Sequence, residues 1–348
     1  FQWNFPIFFS PHNPKRLYAG GNHLFVTENE GRSWEMISPD LTTNDKSKQG
    51  PSGGPITKDN TSVEYYCTIF TATESAYEKD LLWTGSDDGL IHISRDAGKN
   101  WENVTPKGLP VGIMWNCVEA DPFKKGAAYF AGTRYKSDDF APYLYKTEDY
   151  GKTWKRIDNS INRMHFTRAI RADRKRQGLL YAGTEFGMYI SYNDGATWQP
   201  FQLNLPIVPI TDLGIKNNDL IVATQGRSFW ILDDLSVVQQ YDAAQAGKNM
   251  HVYAPAPAYR MQSAGGFRGG GGSPANAGTN PPSGVVIPIW VKAINDSSKA
   301  SVTLYDKAGK EIKTFSTTSK DDKLELNEGL NYFSWNLSYP EGEKPGES

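Results

Sequence analysis

The segment Ser94-Arg95-Asp96-Ala97-Gly98-Lys99-Asn100-Trp101 decides the fold of this chain, because its pattern recurs three more times. Each copy reads Ser/Thr-x-Asp/Asn-x-Gly-x-Ser/Thr/Asn-Trp, and we name it the box motif. The Asp or Asn can accept hydrogen bonds from nearby backbone amides, and the Gly can adopt the positive φ of a tight turn. The Trp can return an apolar anchor to the core. The motif therefore predicts a β-hairpin turn.

The other three copies of the box motif end at Trp34, Trp154 and Trp198. We assign a structural role, and no catalytic role, to the carboxyl, amide and indole side chains of all four copies. These residues are Asn29, Asp96, Asp149, Asn193, Trp34, Trp101, Trp154 and Trp198.

A longer repeat surrounds each box motif and predicts a β-propeller. The repeat contains four short strands, and successive box tryptophans are 44 to 67 residues apart, which is typical of propeller blades. We predict five blades, at residues 3–38, 63–104, 114–157, 166–201 and 210–241, with more in the intact protein. Trp3, Trp115 and Phe166 each precede a strand glycine by 17 residues. This spacing predicts that each aromatic opens the innermost strand of its blade.

The composition of the 348-residue chain favours an all-β protein. Aromatic residues make up 13% of the sequence, and Gly and Pro are abundant. The formal net charge is −2 with mixed signs throughout, so we expect no nucleic-acid partner. The sequence predicts no membrane span, no cofactor and no metal site. Cys67 and Cys117 lie in apolar runs; we favour buried thiols, with a disulfide between them as the alternative.

Three domains or segments are predicted. Residues 1–242 form the propeller blades, which look incomplete at the N-terminus. Residues 243–284 read as a Gly/Pro-rich linker that includes Gly269–Gly272. Residues 285–348 alternate apolar strands with turns and predict a partial β-sandwich, similar to a fibronectin type III or immunoglobulin module. We expect the rest of the same polypeptide, or another chain, to complete the propeller.

Candidate functional residues lie in the loops that join the second and third strands of each blade. These loops are expected at the end of the propeller opposite the box turns. The weak catalytic candidates are their carboxylates, Asp87, Asp88, Asp138, Asp139 and Glu185. The ligand-binding candidates are Arg134, Tyr135 and Arg227 in these loops, with Glu64, Trp115 and His165 at the innermost strands or the channel mouth.

Two interpretations of these residues stay open. A carboxylate pair across a cleft, with Trp115 and Tyr135 as stacking platforms, would suit glycoside hydrolysis. Alternatively, the carboxylates are turn residues that every blade needs. The irregular loop at residues 134–142 is the best single candidate for a ligand or partner contact.

The four turns resemble the Asp-box, or BNR repeat, of sialidases, oligoxyloglucan-degrading glycosidases, the sortilin luminal domain and photosystem assembly propellers. The chain looks more closely similar to large bacterial exported sortilin-like propellers that are labelled glycosyl hydrolases. The segments that carry this similarity are residues 59–65, 84–90, 137–147, 183–187 and 226–234. The resemblance implies an extracellular, periplasmic or cell-surface location.

Catalytic residues do not carry over from these families. Similarity to sialidases would imply an arginine triad and a Tyr/Glu nucleophile pair, and the sequence shows neither. Similarity to the xyloglucan enzymes would imply two catalytic aspartates, which no motif here places. We therefore favour an exported recognition or scaffold propeller that binds a protein, peptide or glycan. The alternative is a glycoside hydrolase with an acidic pair on the propeller face.

Overall fold

The structure, a computed structural model, describes residues 2–51, 53, 58, 64–258, 284–295, 297 and 299–338. The predicted sequence feature Gly269–Gly272 and most of residues 59–65 lie outside the described residues. The chain divides into two compact units, Phe1–Asp233 and Asp234–Ser348. The first unit carries the blades, and the second carries a separate set of strands.

Four antiparallel sheets of four strands form consecutive blades in the first unit. Each is a meander in which neighbouring strands in sequence are neighbours in the sheet. Blade one is β1 (Ile7–Phe9), β2 (Leu17–Gly20), β3 (Leu24–Thr27) and β4 (Glu35–Met36). Blade two is β5 (Ile69–Glu74), β6 (Leu82–Ser86), β7 (Ile91–Ser94) and β8 (Glu102–Asn103). Blade three is β9 (Met114–Ala120), β10 (Ala128–Arg134), β11 (Asp139–Thr147) and β12 (Lys155–Arg156). Blade four is β13 (Thr167–Ala172), β14 (Leu180–Thr184), β15 (Gly187–Ser191) and β16 (Gln199–Pro200).

Blade five has three strands within the described residues. They are β17 (Ile210–Lys216), β18 (Asp219–Thr224) and β19 (Phe229–Leu232). The first strands of blades two to five contact one another in sequence order, which places β5, β9, β13 and β17 on the inside. The prediction of an all-β propeller built from four-stranded blades is therefore confirmed.

The predicted start of blade one is wrong at Trp3. Ile7 is the residue that pairs with Ala19, and Pro6 accepts a hydrogen bond from the Gly20 amide at 2.9 Å. The innermost strand therefore begins after Pro6, and Trp3 lies outside it. In blade three, by contrast, Trp115 does pair with Gly132 across a bulge.

The box motif forms the same hydrogen-bonded turn four times. The Ser or Thr hydroxyl accepts from the Gly amide, as in Ser94 with Gly98 at 2.8 Å. The Asp or Asn side chain accepts from the amide four residues later, as in Asp96 with Asn100 at 2.9 Å. Two consecutive residues in each turn have positive φ, which Gly tolerates at the second position. The turn therefore closes the hairpin between the third and fourth strands.

The box tryptophans also connect neighbouring blades. The Nε1 atoms of Trp101, Trp154 and Trp198 donate to backbone carbonyls of the preceding blade, at 2.8, 2.8 and 2.6 Å. Apolar side chains from both blades pack around each of these indoles, so the blade interfaces form the hydrophobic core.

Over its described residues, the second unit contains short helical segments and two small sheets. A three-stranded sheet has the order β20 (Met250–Val252), β21 (Val285–Val291) and β24 (Gly329–Trp335). The strands β22 (Ser301–Tyr305) and β23 (Glu311–Ser316) form a hairpin. Helix α1 spans Ser236–Gln240. Strand β20 falls in the segment predicted as a linker, and the predicted domain limits and sandwich class stay predictions.

Candidate functional site

The first strands of all five blades line one cavity in the first unit. We name it the channel cavity, and its volume is about 640 Å³. Its strand residues are Ile7 and Phe8 of β1, Phe70, Thr71 and Ala72 of β5, Met114, Asn116 and Cys117 of β9, Arg168 and Arg171 of β13, and Thr211 and Asp212 of β17. The remaining wall includes Gln2, Trp3, Asn4, Pro6, Tyr135 and Lys136. The lining is mixed apolar, aromatic and charged, as in many small-ligand sites.

Trp3 presents an aromatic surface to the channel cavity. Its side chain is 69% exposed, and its Nε1 atom donates to Glu64 Oε1 at 2.9 Å. An isolated bridge between Gln2 and Glu64 ties the two segments together. Glu64, predicted as a ligand-binding residue, therefore holds the indole in place. The 17-residue spacing predicts Trp3 in a strand, and the structure instead places it before β1 at the cavity wall.

A second aromatic surface is formed by Tyr135, one of the predicted ligand-binding residues. Its ring stacks on Phe166 with centroids 5.1 Å apart and an interplanar angle of 17°. The guanidinium of Arg168 lies 5.4 Å from the Tyr135 ring centroid and pairs with Glu185 at 2.8 Å. Glu185 is thus a partner of Arg168, and the pair fixes a cation beside the aromatic stack.

Arg171 forms the charged part of the cavity wall. It donates to Asp212 Oδ1 at 2.8 Å and to Cys117 Sγ at 2.6 Å, and it lies 3.9 Å from Glu119. Burial raises the pKa of the Cys117 thiol, and Arg171 opposes that shift. Cys67 and Cys117 are both free and buried. The arginines of the cavity were not predicted, because nothing in the spacing of β13 distinguishes them.

A smaller pocket of about 170 Å³ adjoins the channel cavity and shares Gln2, Phe70, Met114, Tyr135 and Lys136 with it. Asp87 lies in its wall and is buried. Its two oxygens accept from the Thr68 amide at 2.8 Å and from the Thr68 hydroxyl at 3.0 Å. Burial raises the pKa of Asp87 to about 6, although these hydrogen bonds oppose the shift.

The other predicted carboxylates are engaged in local contacts or stand apart. Asp88 accepts from the Thr43 amide and hydroxyl at 2.7 Å and from Ser86 at 2.5 Å. Asp139 pairs with Arg134 at 2.5 Å and accepts from the Tyr143 hydroxyl at 2.6 Å. Burial alone would raise the pKa of Asp139, but the hydrogen bonds from Tyr143 and Arg134 outweigh burial, and the pKa is lowered. Asp138 is exposed, with the left-handed φ of 58° that closes the turn.

Three further predicted ligand-binding residues lie outside the channel cavity. Trp115 is 0% exposed, and its Nε1 donates to the Gly89 carbonyl at 2.9 Å. The prediction of Trp115 as a stacking platform is wrong, because Phe130 and Tyr145 enclose its ring in the core. His165 contacts the Tyr189 hydroxyl at 2.9 Å, and burial lowers its pKa. Arg227 is exposed, and its guanidinium donates to the Gly226 carbonyl.

A groove of about 810 Å³ runs among the box turns of blades one and two. Its polar walls include the ion pair of Arg16 with Glu28 and the box residues Asn29 and Ser33, all engaged with one another or with the turn backbone. We assign it no ligand. Over the described part of the chain, no group of three or more His, Cys, Asp or Glu side chains is arranged to hold a metal ion. The described helices are too short or too polar to cross a bilayer.

Known proteins resemble this chain over parts of its length. It is 27% identical over 105 residues to a protein of Neosartorya fischeri described as a "probable oligoxyloglucan-reducing end-specific xyloglucanase", covering 30% of this chain and 13% of the relative. It is 33% identical over 119 residues to the vacuolar protein sorting/targeting protein 10 of Laccaria bicolor, covering 33% of this chain and 7% of the relative. No family model matches the sequence.

Among solved structures, the GH74 xyloglucanase from Xanthomonas campestris superposes with a TM-score of 0.50 at 16% identity. The match covers 69% of this chain and 37% of that enzyme. The chain is a β-propeller. It spans only a small part of the curated relatives, and at this identity the structural likeness shows the fold alone.

Proposed function

We propose that this propeller recognises a glycan in the channel cavity and does not cleave it. The observation that carries the proposal is the exposed indole of Trp3, which Glu64 holds against a cavity lined by five blades. Flat aromatic surfaces with nearby hydrogen-bonding groups suit the alternating apolar and hydroxyl faces of a sugar ring. The names of the xyloglucanase relatives support a glycan over a peptide.

The same proposal extends to family and location. The four hydrogen-bonded turns support their interpretation as Asp-boxes. The likeness to the sorting protein over 119 residues supports a sortilin-like propeller. We also propose, from the sequence resemblance, an exported bacterial protein in which residues 1–242 are propeller, 243–284 are linker and 285–348 are a β-sandwich.

Binding to immobilised polysaccharides, including xyloglucan and mixed-linkage β-glucan, tests the recognition proposal. We expect Trp3→Ala to raise the Kd of the best ligand by about tenfold or more, which corresponds to about 1.4 kcal/mol. Tyr77→Ala is the matched control, because Tyr77 is half exposed but outside the channel cavity. Equal binding by both variants, or binding to no glycan, would contradict the proposal.

Glycoside hydrolysis is the second candidate, because one carboxyl meets a requirement of a general acid. Asp87 faces the adjoining pocket, and its pKa is raised to about 6. Its neighbour Asp88 is held by Thr43 and Ser86, so a free second carboxylate is missing from that loop. Release of reducing ends from xyloglucan that disappears in Asp87→Asn would favour hydrolysis over recognition alone.

A further inference from the structure

Blade one has an apolar sheet face that is not covered by another described blade. Ile7, Phe25 and Met36 lie in one row of this face, because Ile7 pairs with Ala19, Ala19 with Phe25, and Phe25 with Met36. Ile7, Met36 and Trp34 are exposed. We name this surface, with Leu17, the open face of blade one. Phe8 and Tyr18 lie on the opposite face of the same sheet, which packs against blade two.

The interfaces inside the molecule show what packs on the corresponding face of later blades. By register, Ile7, Leu17 and Trp34 of blade one correspond to Ala72, Leu82 and Trp101 of blade two. Those three residues pack against the preceding blade. In blade four the corresponding residues are Ile170, Leu180 and Trp198, and they also pack against the preceding blade.

Each of these interfaces is locked by the box turn. The box indole donates to the carbonyl of an aliphatic residue that directly follows the fourth strand of the preceding blade. The three acceptors are Ile37, Val104 and Ile157. The box glycine lies against the same residue: a Cβ on Gly98, Gly151 or Gly195 would come within 2.8, 2.5 or 2.7 Å of it. The turn thus recognises one backbone carbonyl and one aliphatic side chain together.

The box turn of blade one has the same internal hydrogen bonds, but no described residue of another blade packs against its Trp and Gly. Trp34 is 42% exposed, against 5% for Trp198. Its Nε1 atom has no acceptor among the described residues, and a Cβ on Gly31 would meet only Trp34 itself, at 3.7 Å. An exposed indole N–H beside an exposed apolar sheet face suits the recognition of a carbonyl and an aliphatic side chain of a partner.

We infer that the open face of blade one binds a further four-stranded blade, whose fourth strand is followed by Ile or Val. That residue's carbonyl accepts from Trp34, and its side chain packs on Gly31. A second copy of this chain fits less well, because blade five, at the other end, has three strands in the described residues and presents no fourth strand. The inference does not rest on the proposed glycan site: Ile7 lines both surfaces, but Trp34, Gly31, Phe25 and Met36 lie outside the channel cavity.

The test supplies a further blade from the chain itself. A second copy of residues 113–164 is fused directly before residue 2, so that the Ile157 of the copy stands as it does before blade four. Hydroxyl-radical oxidation, read by peptide mass spectrometry, then reports the exposure of each tryptophan. We expect the oxidation rate of Trp34 to fall at least about fivefold, towards that of Trp101 in the same molecule. The same fusion with Ile157→Asp in the copy is the control and leaves Trp34 reactive.

Several results would overturn the inference. If Trp34 in the fusion is oxidised as fast as in the unfused chain, the inference is wrong. This holds whether or not the added copy is folded, as judged by its resistance to trypsin, because the open face should provide the packing that a blade needs to fold. Equal protection by the Ile157→Asp control would overturn the inference as well. The unfused chain completes the test, with its oligomeric state measured by sedimentation velocity. If Trp34 is already protected from oxidation in the unfused chain, as a dimer or as a monomer, another group occupies the open face and the inference is wrong.

Discussion

Burial and local hydrogen bonds decide which side chains of the site can meet a ligand. Trp3 and Trp115 look equivalent in sequence, since each precedes a strand glycine by 17 residues. Trp115 became a core residue because its indole reaches the Gly89 carbonyl between aromatic neighbours, whereas Trp3 stands before Pro6 and stays exposed. Pro6 is the sequence signal that separates the two, because proline is disfavoured inside a strand, but the 17-residue spacing alone does not show it.

Glu64 acts as a positioning residue for Trp3. Substitutions can separate its role as a hydrogen-bond acceptor from its negative charge. Glu64→Ala removes the acceptor of the indole N–H, and we expect the Kd for the glycan to rise about threefold or more. Glu64→Gln keeps an oxygen acceptor, so we expect it to restore binding to nearly the wild-type value. Isothermal titration of the three proteins checks this, and a Gln variant as weak as Ala would show that the charge itself contacts the ligand.

Asp87 makes the stability of the propeller depend on pH. Its folded pKa of about 6 lies above the ordinary value, so the folded state binds the extra proton and stability falls as the pH rises from about 4 to 6. We expect the unfolding free energy of the wild type, relative to Asp87→Asn, to be about 1 kcal/mol greater at pH 5 than at pH 7. Urea denaturation at both pH values measures this, and a constant difference would refute the buried, titrating carboxyl.

The box turn is the element that the sequence predicts best, because its hydrogen bonds join residues within eight positions. Local chemistry alone therefore located four hairpins and, through their spacing, the blades. The indole bonds to Ile37, Val104 and Ile157 were not predictable from the motif, since each acceptor lies 41 to 64 residues earlier. The motif closes a hairpin and also joins two blades.

Two glycines at equivalent box positions separate these roles. Gly31 and Gly151 both have φ of +80°, so Ala imposes a similar backbone strain at either site. At Gly151 the new Cβ would also come within 2.5 Å of Val104 Cβ, whereas at Gly31 the nearest atom belongs to Trp34 at 3.7 Å. We expect Gly151→Ala to destabilise the chain by about 2 kcal/mol more than Gly31→Ala. Thermal and chemical denaturation check this, and equal losses would argue against tight blade contact.

The channel cavity depends on all five blades, because the first strand of each blade contributes only two or three of its residues. Of the ligand-binding residues predicted from the sequence, Tyr135 lines this cavity, Arg134 lines the adjoining pocket and Glu64 holds Trp3. Arg168 and Arg171 were not predicted, since only the packing of neighbouring first strands brings them to one wall. The weak catalytic candidates are mostly turn or ion-pair residues.

Arg171 joins three blades, through Cys117 and Glu119 of β9 and Asp212 of β17. Arg171→Met would leave the buried carboxyl of Glu119 with less compensation, and we expect a loss of about 3 kcal/mol in unfolding free energy. Asp212→Asn is the control: Asp212 is 64% exposed, so its ion pair with Arg171 is worth less than about 1 kcal/mol. Equal losses from the two substitutions would mean that Arg171 is solvated.

The central claim is that the two ends of the propeller have different tasks: recognition at the channel cavity and assembly at the box turns. Trp3 at the channel cavity and Trp34 in the box turn are both exposed. The most direct test is to measure the glycan affinity of the variants Trp3→Ala and Trp34→Ala. We predict that Trp3→Ala weakens binding by about tenfold or more, while Trp34→Ala binds as the wild type does. Loss of binding in Trp34→Ala with retention in Trp3→Ala would contradict the account.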